Sequence, residues 1–220
     1  MQKLQRPQAI IFDLDGVLTD TSEYHYRAWK RLADEEGITL TREENDANLR
    51  GVSRRESLMY ILSLGSRRYS EDQIQEMMDR KNRYYTEMIK GMTPSDLVPG
   101  GRQLLQSIRD AGIKSAIASA SKNCHTVLER LDILNVFDGI ADGYSVTNTK
   151  PAPDLFVFAA GLTKTPTGAC LGIEDADAGI EAIKNAGMQA LGIGPKDRFH
   201  RADKVLSTLA NVSLQDILNS

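Results

Sequence analysis

Four carboxylates, set in two short segments, define the chemistry open to this chain. Asp13 and Asp15 follow the apolar run Ala9-Ile10-Ile11-Phe12 and precede Gly16, while Glu174 and Asp175 end the run Cys170-Leu171-Gly172-Ile173. An extended strand puts residues i and i+2 on one face, so Asp13 and Asp15 are expected to crowd at a strand's carboxyl end, where Gly16 lets the backbone turn. Two unit charges about 4 Å apart repel by about 1 kcal/mol in water and about 4 kcal/mol at an effective dielectric of about 20. A sequence can keep such a pair where a divalent cation neutralises it, or where one acid retains a proton to donate. Oxygen ligands converging from two strand ends suit Mg2+, which takes one or two carboxylates, keeps several waters and accepts substrate phosphate oxygens. The competing account of Glu174 and Asp175 is that they cap the helix expected from about Ala176; beside the first acidic pair, that account is the weaker.

Further residues offer partners to an anion. Ser119-Ala120-Ser121-Lys122-Asn123 follows an apolar strand and opens a helix, presenting hydroxyls, backbone amides and a cation. Ser and Asn are also favoured helix caps, and the two roles are compatible. Lys150 stands in Thr149-Lys150-Pro151-Ala152-Pro153, where two prolines restrict the backbone. Arg50-Gly51-Val52-Ser53-Arg54 reads as a basic turn whose glycine permits close approach to a ligand and whose Arg54 could clamp a phosphate; a solvated basic loop is the plainer alternative. His25 and Lys81 fall within helical patterns. Lys81, inside Asp79-Arg80-Lys81-Asn82-Arg83, is expected to be a solvated ammonium, which argues against Schiff-base chemistry at that residue.

These residues need a scaffold, and the rest of the sequence describes one. At 220 residues the chain suits a principal domain with a smaller insertion, and 41% hydrophobic with 26% charged residues is an ordinary globular balance. A net charge of -3 with mixed signs excludes the footprint of a nucleic-acid binder. No apolar run approaches the roughly 20 residues of a membrane span, and the start Met-Gln-Lys-Leu-Gln-Arg-Pro lacks a signal peptide's apolar region, so a cytoplasmic protein with no membrane partner is expected. Cys124 and Cys170 are read as reduced packing residues.

A first strand is expected in the apolar residues Ile11-Phe12 that run into Asp13, and further buried strands at 113–119, 140–141, 169–174 and 189–194. Helical patterns at 123–131, 153–161 and 176–186 alternate with them. That alternation predicts an α/β fold with a parallel sheet whose ligands bind beyond the carboxyl ends of the strands. Residues 21–92 instead carry helical spacing throughout, in Trp29, Leu32 and Ala33, in Leu58, Ile61 and Leu62, and across 69–89. This segment is expected to be a helical cap domain inserted into a core of 1–20 and 93–220. Its two tethers, one at Thr19, Asp20 and Thr21 and the other near 92–94, would act as a hinge for a lid that excludes water.

Asp13 and Asp15 in Asp-Leu-Asp-Gly-Val, Ser119 after the next strand, Lys150 before a proline, and Glu174-Asp175 together resemble the haloacid dehalogenase (HAD) superfamily. The resemblance spans nearly the whole chain. It extends, through Thr19-Asp20-Thr21, His25, Gly51-Val52-Ser53-Arg54, Lys81-Asn82 and 119–123, to a branch of sugar-phosphate mutases. The resemblance implies a Rossmann-like core with a helical cap, and an enzyme interconverting β-D-glucose 1-phosphate and D-glucose 6-phosphate through a 1,6-bisphosphate. A sugar-phosphate phosphatase of the same fold is the alternative. It implies Asp13 as nucleophile and Asp15 as general acid and base. Mg2+ would be held by the Asp13 side chain, the Asp15 carbonyl and Asp175, with Glu174 nearby. Ser119 and Lys150 would grip the transferred phosphoryl group, with Ala120 counted among the phosphate-binding residues, and Arg54, Ser121, Lys122 and Asn123 would hold the other phosphate. His25, Lys81 and the turn at Arg50, Gly51, Val52 and Ser53 would meet the sugar; Arg50 stands where that branch commonly carries lysine. A phosphosugar is the expected partner of a monomer.

Overall fold

The computed structural model describes residues 4–49 and 52–218. Arg50 and Gly51, expected at the substrate, lie outside the described residues. Two compact units result, one built from the chain up to Asp20 and again from Thr93, the other from Thr21 to Met92.

The first unit is organised by one sheet of β1 (Ala9–Phe12), β2 (Lys114–Ala118), β3 (Gly139–Ala141), β4 (Cys170–Glu174), β5 (Gln189–Ile193) and β6 (Lys204–Leu206). Its order is β3-β2-β1-β4-β5-β6, and every pairing is parallel. All four residues of β1 are buried, as expected of a central parallel strand covered on both faces. The expected α/β class is borne out. The sequence reading missed β6, a three-residue edge strand of half-buried residues with too little apolar pattern to signal itself.

Chain order places the reaction-bearing segments. From β1 the chain moves outward to β2 and β3, then crosses to β4 on the other side of β1. The winding direction therefore changes at β1, and in open α/β sheets the ligand crevice forms beyond the strand ends at such a point. Residues 13, 119 and 175 follow β1, β2 and β4 directly.

The helical unit contains α1 (Ser22–Glu35), α2 (Arg42–Asn48), α3 (Arg54–Ser63) and α4 (Glu71–Ile89). Capping boxes start three of them, with Thr41 and Glu44, Ser53 and Glu56, and Ser70 and Gln73 satisfying each other's backbone amides. Trp29, Leu32, Leu58, Ile61, Ile74 and Met77 belong to their shared core. In the sheet unit, α5 (Gly101–Asp110) packs on β2, and α6 (Cys124–Arg130) follows the Ser119 segment. Beyond these, α7 (Asp154–Leu162) covers β1 to β3, α8 (Asp177–Asn185) covers β4 and β5, and α9 (Leu214–Leu218) ends the described chain. Among the described residues no helix is long and apolar enough to cross a membrane.

Within the sheet unit, the two segments that lead to and from the insertion are tied to each other. Thr19 Oγ1 donates to the Asp96 carbonyl at 2.8 Å, and the Val98 amide donates to the Leu18 carbonyl at 2.8 Å. Thr19 and Thr21 are buried, and Asp20 is exposed between them.

Close packing of α8 on the sheet depends on Gly172 in β4, because a Cβ there would stand 2.6 Å from Ile183 Cγ1. Gly172→Ala is expected to destabilise the protein by about 1–3 kcal/mol through overpacking, measured as a lowered urea midpoint. An unchanged midpoint would show that α8 can shift freely.

Candidate active site

The chain is extended and buried up to Phe12, and its next amide, that of Asp13, still pairs with the Ile173 carbonyl at 2.9 Å. Asp13 is therefore delivered beside the end of β4, with its carboxylate buried. Beyond it the strand period stops. Residues 14–19 form a tight turn in which the Gly16 amide donates to the Thr19 carbonyl at 2.6 Å. Gly16 has φ +91°, and a Cβ on it would fall on the Asp175 carboxylate, so glycine is required both by the backbone and by the acid lying against it.

The acids that gather are Asp13, Glu174 and Asp175, whose side-chain oxygens lie within 4.8 Å of one another. The crowding expected between Asp13 and Asp15 is corrected here. Because β1 ends at Phe12, no strand period carries Asp15 to the same face; its backbone N–H donates to the Asp13 carboxylate, and the charge that presses on Asp13 is that of Glu174.

Lys150 answers that negative charge. Buried itself, its ammonium pairs with Asp13 Oδ1 and donates to Glu174 Oε2 at 2.7 Å. Burial alone would drive the proton off, but Asp13 and Glu174 outweigh it and hold the ammonium above its ordinary pKa. Glu174 Oε1 accepts from the amides of Asp175 at 3.1 Å and Ala176 at 3.2 Å, which orients the carboxylate toward Lys150. Gly179 in α8 makes room for it, since a Cβ there would occupy the Glu174 carboxylate. Sequence reasoning missed Gly179; its only signal was a small residue five positions after the acid.

Asp13 is left proton-hungry. Burial and then the Glu174 charge raise its pKa from 3.8 to about 7, against the pull of Lys150. Glu174 is raised as well, by burial with Asp175 adding to it and Lys150 opposing. Three carboxylates facing one ammonium leave an excess of negative charge among hard oxygen donors, and this donor set fits a divalent cation.

Ser119 begins the loop after β2 and is buried. Its Oγ accepts the Ser121 amide at 3.1 Å, and Ser121 Oγ accepts the Asn123 amide at 3.2 Å. Two amides expected to face an anion are thus taken up inside the loop, which is a correction. A hydroxyl that accepts through a lone pair keeps its O–H to donate; the Ser119 O–H is directed at the Cys124 sulfur here and would have to turn to reach a ligand. The loop rests on Cys124, a free, buried thiol hydrogen-bonded to Ser119; burial and then the charges of Asp15, Asp13 and Asp142 raise its pKa. Ala120 packs against the sheet's core, and Lys122 is exposed.

The helical unit brings His25, Lys81 and Arg54 together. Lys81 is buried, contrary to the expected solvated ammonium. Its charged neighbours in sequence misled, because buried positions on α4 recur at Ile74, Met77, Lys81, Tyr85 and Ile89, and helical period places Lys81 in that stripe while Asp79 and Arg83 face outward. Its Nζ lies 4.6 Å from the Trp29 ring centroid and 5.0 Å from that of Tyr85. Nζ also donates to His25 Nδ1 at 2.9 Å, and since an ammonium has no lone pair, neutral His25 carries its proton on Nε2. Arg54 donates to Asn82 Oδ1 at 2.9 Å, Ser53 caps α3, and Val52 is exposed.

The family model for haloacid dehalogenase-like hydrolases matches residues 7–187. This chain belongs to that family. It is 43% identical over 94% of its length, and 92% of the relative's, to the β-phosphoglucomutase of Bacillus subtilis. A crystal structure of β-phosphoglucomutase from Clostridium difficile superposes with a TM-score of 0.91 at 40% identity, covering 96% of this chain and 95% of that one. A phosphorylated carbohydrates phosphatase of Thermotoga maritima is similar at 29% identity, over 96% of this chain and 97% of its own. Members of the family use a divalent metal, and the acidic group of this chain fits one.

Two pH dependences follow. Protons and metal compete for Asp13, so affinity for a divalent cation, read by calorimetry, is expected to weaken as pH falls through about 7. An affinity that is flat from about pH 8 to about pH 5 would contradict this. Burial, then the charges of Lys81 and Arg54, lower the His25 pKa well below its ordinary 6.5. Below about 6.5 the unfolded chain binds a proton that the folded chain refuses, so His25's contribution to stability is full above that pH and is lost as pH drops. Urea midpoints of wild type are expected to fall more steeply between about pH 7 and about pH 5 than those of His25→Gln, and parallel profiles would refute the assignment.

Proposed function

We infer that the protein is an isomerase interconverting β-D-glucose 1-phosphate and D-glucose 6-phosphate through β-glucose 1,6-bisphosphate, with Mg2+ as its metal. The observation that carries this reading is the buried Asp13 carboxylate, held by Lys150 and bordered by Glu174 and Asp175. The similarity to two β-phosphoglucomutases at 40% identity or more supports the substrate.

Asp13 is the nucleophile. Its carboxylate oxygen forms a bond to phosphorus as the bond from phosphorus to the sugar oxygen breaks, and Asp15 supplies a proton to that leaving oxygen. The cycle starts with Asp13 already phosphorylated: the 6-hydroxyl of β-glucose 1-phosphate takes that phosphoryl group and gives its proton to Asp15. Once the resulting 1,6-bisphosphate has reoriented, Asp13 takes the 1-phosphoryl group while Asp15 returns the proton to the leaving oxygen, and glucose 6-phosphate departs. In such transfers the protein mainly positions groups and neutralises charge spread over the equatorial oxygens. Lys150 and the Ser119 hydroxyl do this for the transferred group, and Ser121, Lys122, Asn123 and Arg54 are assigned to the second phosphate. Asp13, the Asp15 carbonyl and Asp175, with Glu174 beside them, would hold Mg2+, which supplies charge neutralisation at the phosphoryl oxygens when bound. His25, Lys81, Arg50, Gly51, Val52 and Ser53 are assigned to the sugar, and residues 19–21 to a hinge. Action as a monomer in the cytoplasm belongs to the same reading and rests on the sequence.

The test supplies purified protein with Mg2+, β-glucose 1-phosphate and a trace of the 1,6-bisphosphate, and measures glucose 6-phosphate against inorganic phosphate. Glucose 6-phosphate is expected to dominate. Predominant inorganic phosphate would replace the mutase with a sugar phosphatase, the activity carried in the name of the Thermotoga relative. Asp13→Asn is expected to abolish turnover, because an amide oxygen does not form the acyl phosphate. Asp15→Asn is expected to slow transfer while metal affinity holds. A large loss of metal affinity in Asp15→Asn would remove the assignment of its carbonyl as the ligand atom.

A further inference from the structure

The loop after β3, to which the proposed chemistry gives no role before Lys150, meets the Ser119 segment. Gly143 lies flat against it, since a Cβ there would stand 2.9 Å from Lys122 Cγ and 3.1 Å from the Lys122 amide nitrogen, and the Gly143 amide donates to the Ser121 carbonyl at 3.3 Å. The next residue, Tyr144, is 72% exposed, so core packing does not account for an aromatic ring there. Its place is nonetheless fixed. Asp142 Oδ1 accepts from the Tyr144 amide at 2.9 Å and from Ser145 Oγ at 3.0 Å, and the Asp142 amide donates back to Ser145 Oγ at 3.0 Å. This closed turn sets the Tyr144 ring 5.0 Å from the Lys122 ammonium, measured to the ring centroid.

We propose that Tyr144 is a positioning residue for Lys122, its ring face holding the ammonium in place for a substrate phosphate without neutralising it. Lysine on an open loop spreads its charge over many rotamers. A carboxylate would restrain it but would also cancel the charge that an anion needs. An aromatic face restrains a cation through its quadrupole and leaves the net charge intact. The one acid of this loop is engaged elsewhere, with Asp142 Oδ1 in the turn and Oδ2 3.8 Å from His125 Nε2. An exposed tyrosine in a turn can be mere solvent-facing surface; the ammonium seated over a ring whose backbone is pinned on both sides decides against that here.

The proposal rests on Lys122 meeting a phosphate, as read above. Its test is a double-mutant cycle in KM and kcat for the phosphosugar with saturating Mg2+, using wild type, Tyr144→Phe, Tyr144→Ala, Lys122→Ala and the double alanine variant. Tyr144→Ala is expected to raise KM about two- to five-fold while kcat holds. Tyr144→Phe keeps the ring and is expected to keep the wild-type KM, and in the Lys122→Ala background the tyrosine change is expected to add nothing. Equal effects of Tyr144→Ala with and without Lys122 would overturn the proposal, as would a phenylalanine variant as impaired as the alanine one, or a wild-type KM in either Lys122→Ala or Tyr144→Ala. Failure of the mutase reading shows separately, as inorganic phosphate from the wild-type enzyme. The cycle can then be read on that phosphate release.

Discussion

A single ammonium buried between two carboxylates is the constraint on which the site depends. Lys150 reaches Asp13 at the end of β1 and Glu174 at the end of β4, and all three side chains are out of water. Breaking a buried pair by removing one partner typically costs about 3–5 kcal/mol, because the remaining charge is stranded. The three groups therefore hold one another in place, and they can meet only where β1 and β4 run side by side in parallel register, with Phe12 opposite Ile173. The change of winding direction at β1 is what makes those strands neighbours. Gly16 and Gly179 serve the same end, each giving up its side chain to a carboxylate.

This arrangement leaves negative charge uncompensated, and that is where its reactivity lies. A carboxylate with a pKa raised to about 7 is poorly satisfied in isolation, and a divalent cation or a phosphoryl group supplies what it lacks. Around it, the Ser119 and Ser121 oxygens accept loop amides, which holds the loop in shape, while Tyr144 is placed to steady Lys122. The site is built chiefly from groups whose hydrogen-bonding and charge are completed by a ligand.

In the helical unit one lysine shows how local composition and helical period can disagree. Lys81 has charged neighbours on both sides in the chain, yet helical geometry groups it with Met77 and Tyr85, three or four residues away. Buried against two aromatic rings and the lone pair of His25, it is a donor of fixed position. The spacing from Ile74 through Met77, Lys81 and Tyr85 to Ile89 was present in the chain and would have revealed this, had it been read before the charges.

Much of the protein follows from local pattern. Several short apolar runs, each ended by an acid, a serine or a glycine, form the strands, and their alternation with helical spacing points to a parallel sheet. Asp13, Ser119, Lys150 and Asp175 were likewise visible as polar residues set just beyond apolar runs or between prolines. What chain order could not supply was distance through space. Which acid presses on Asp13 was misjudged, because the strand period that would bring Asp15 alongside ends one residue before Asp13, and Glu174 arrives instead from a strand far along the chain. The pairing of Lys150, the close approach of Gly179 to Glu174 and the ring of Tyr144 beside Lys122 share that origin. Each joins residues separated in sequence, and only the packing of strands, helices and loops against one another brings them within a few ångströms.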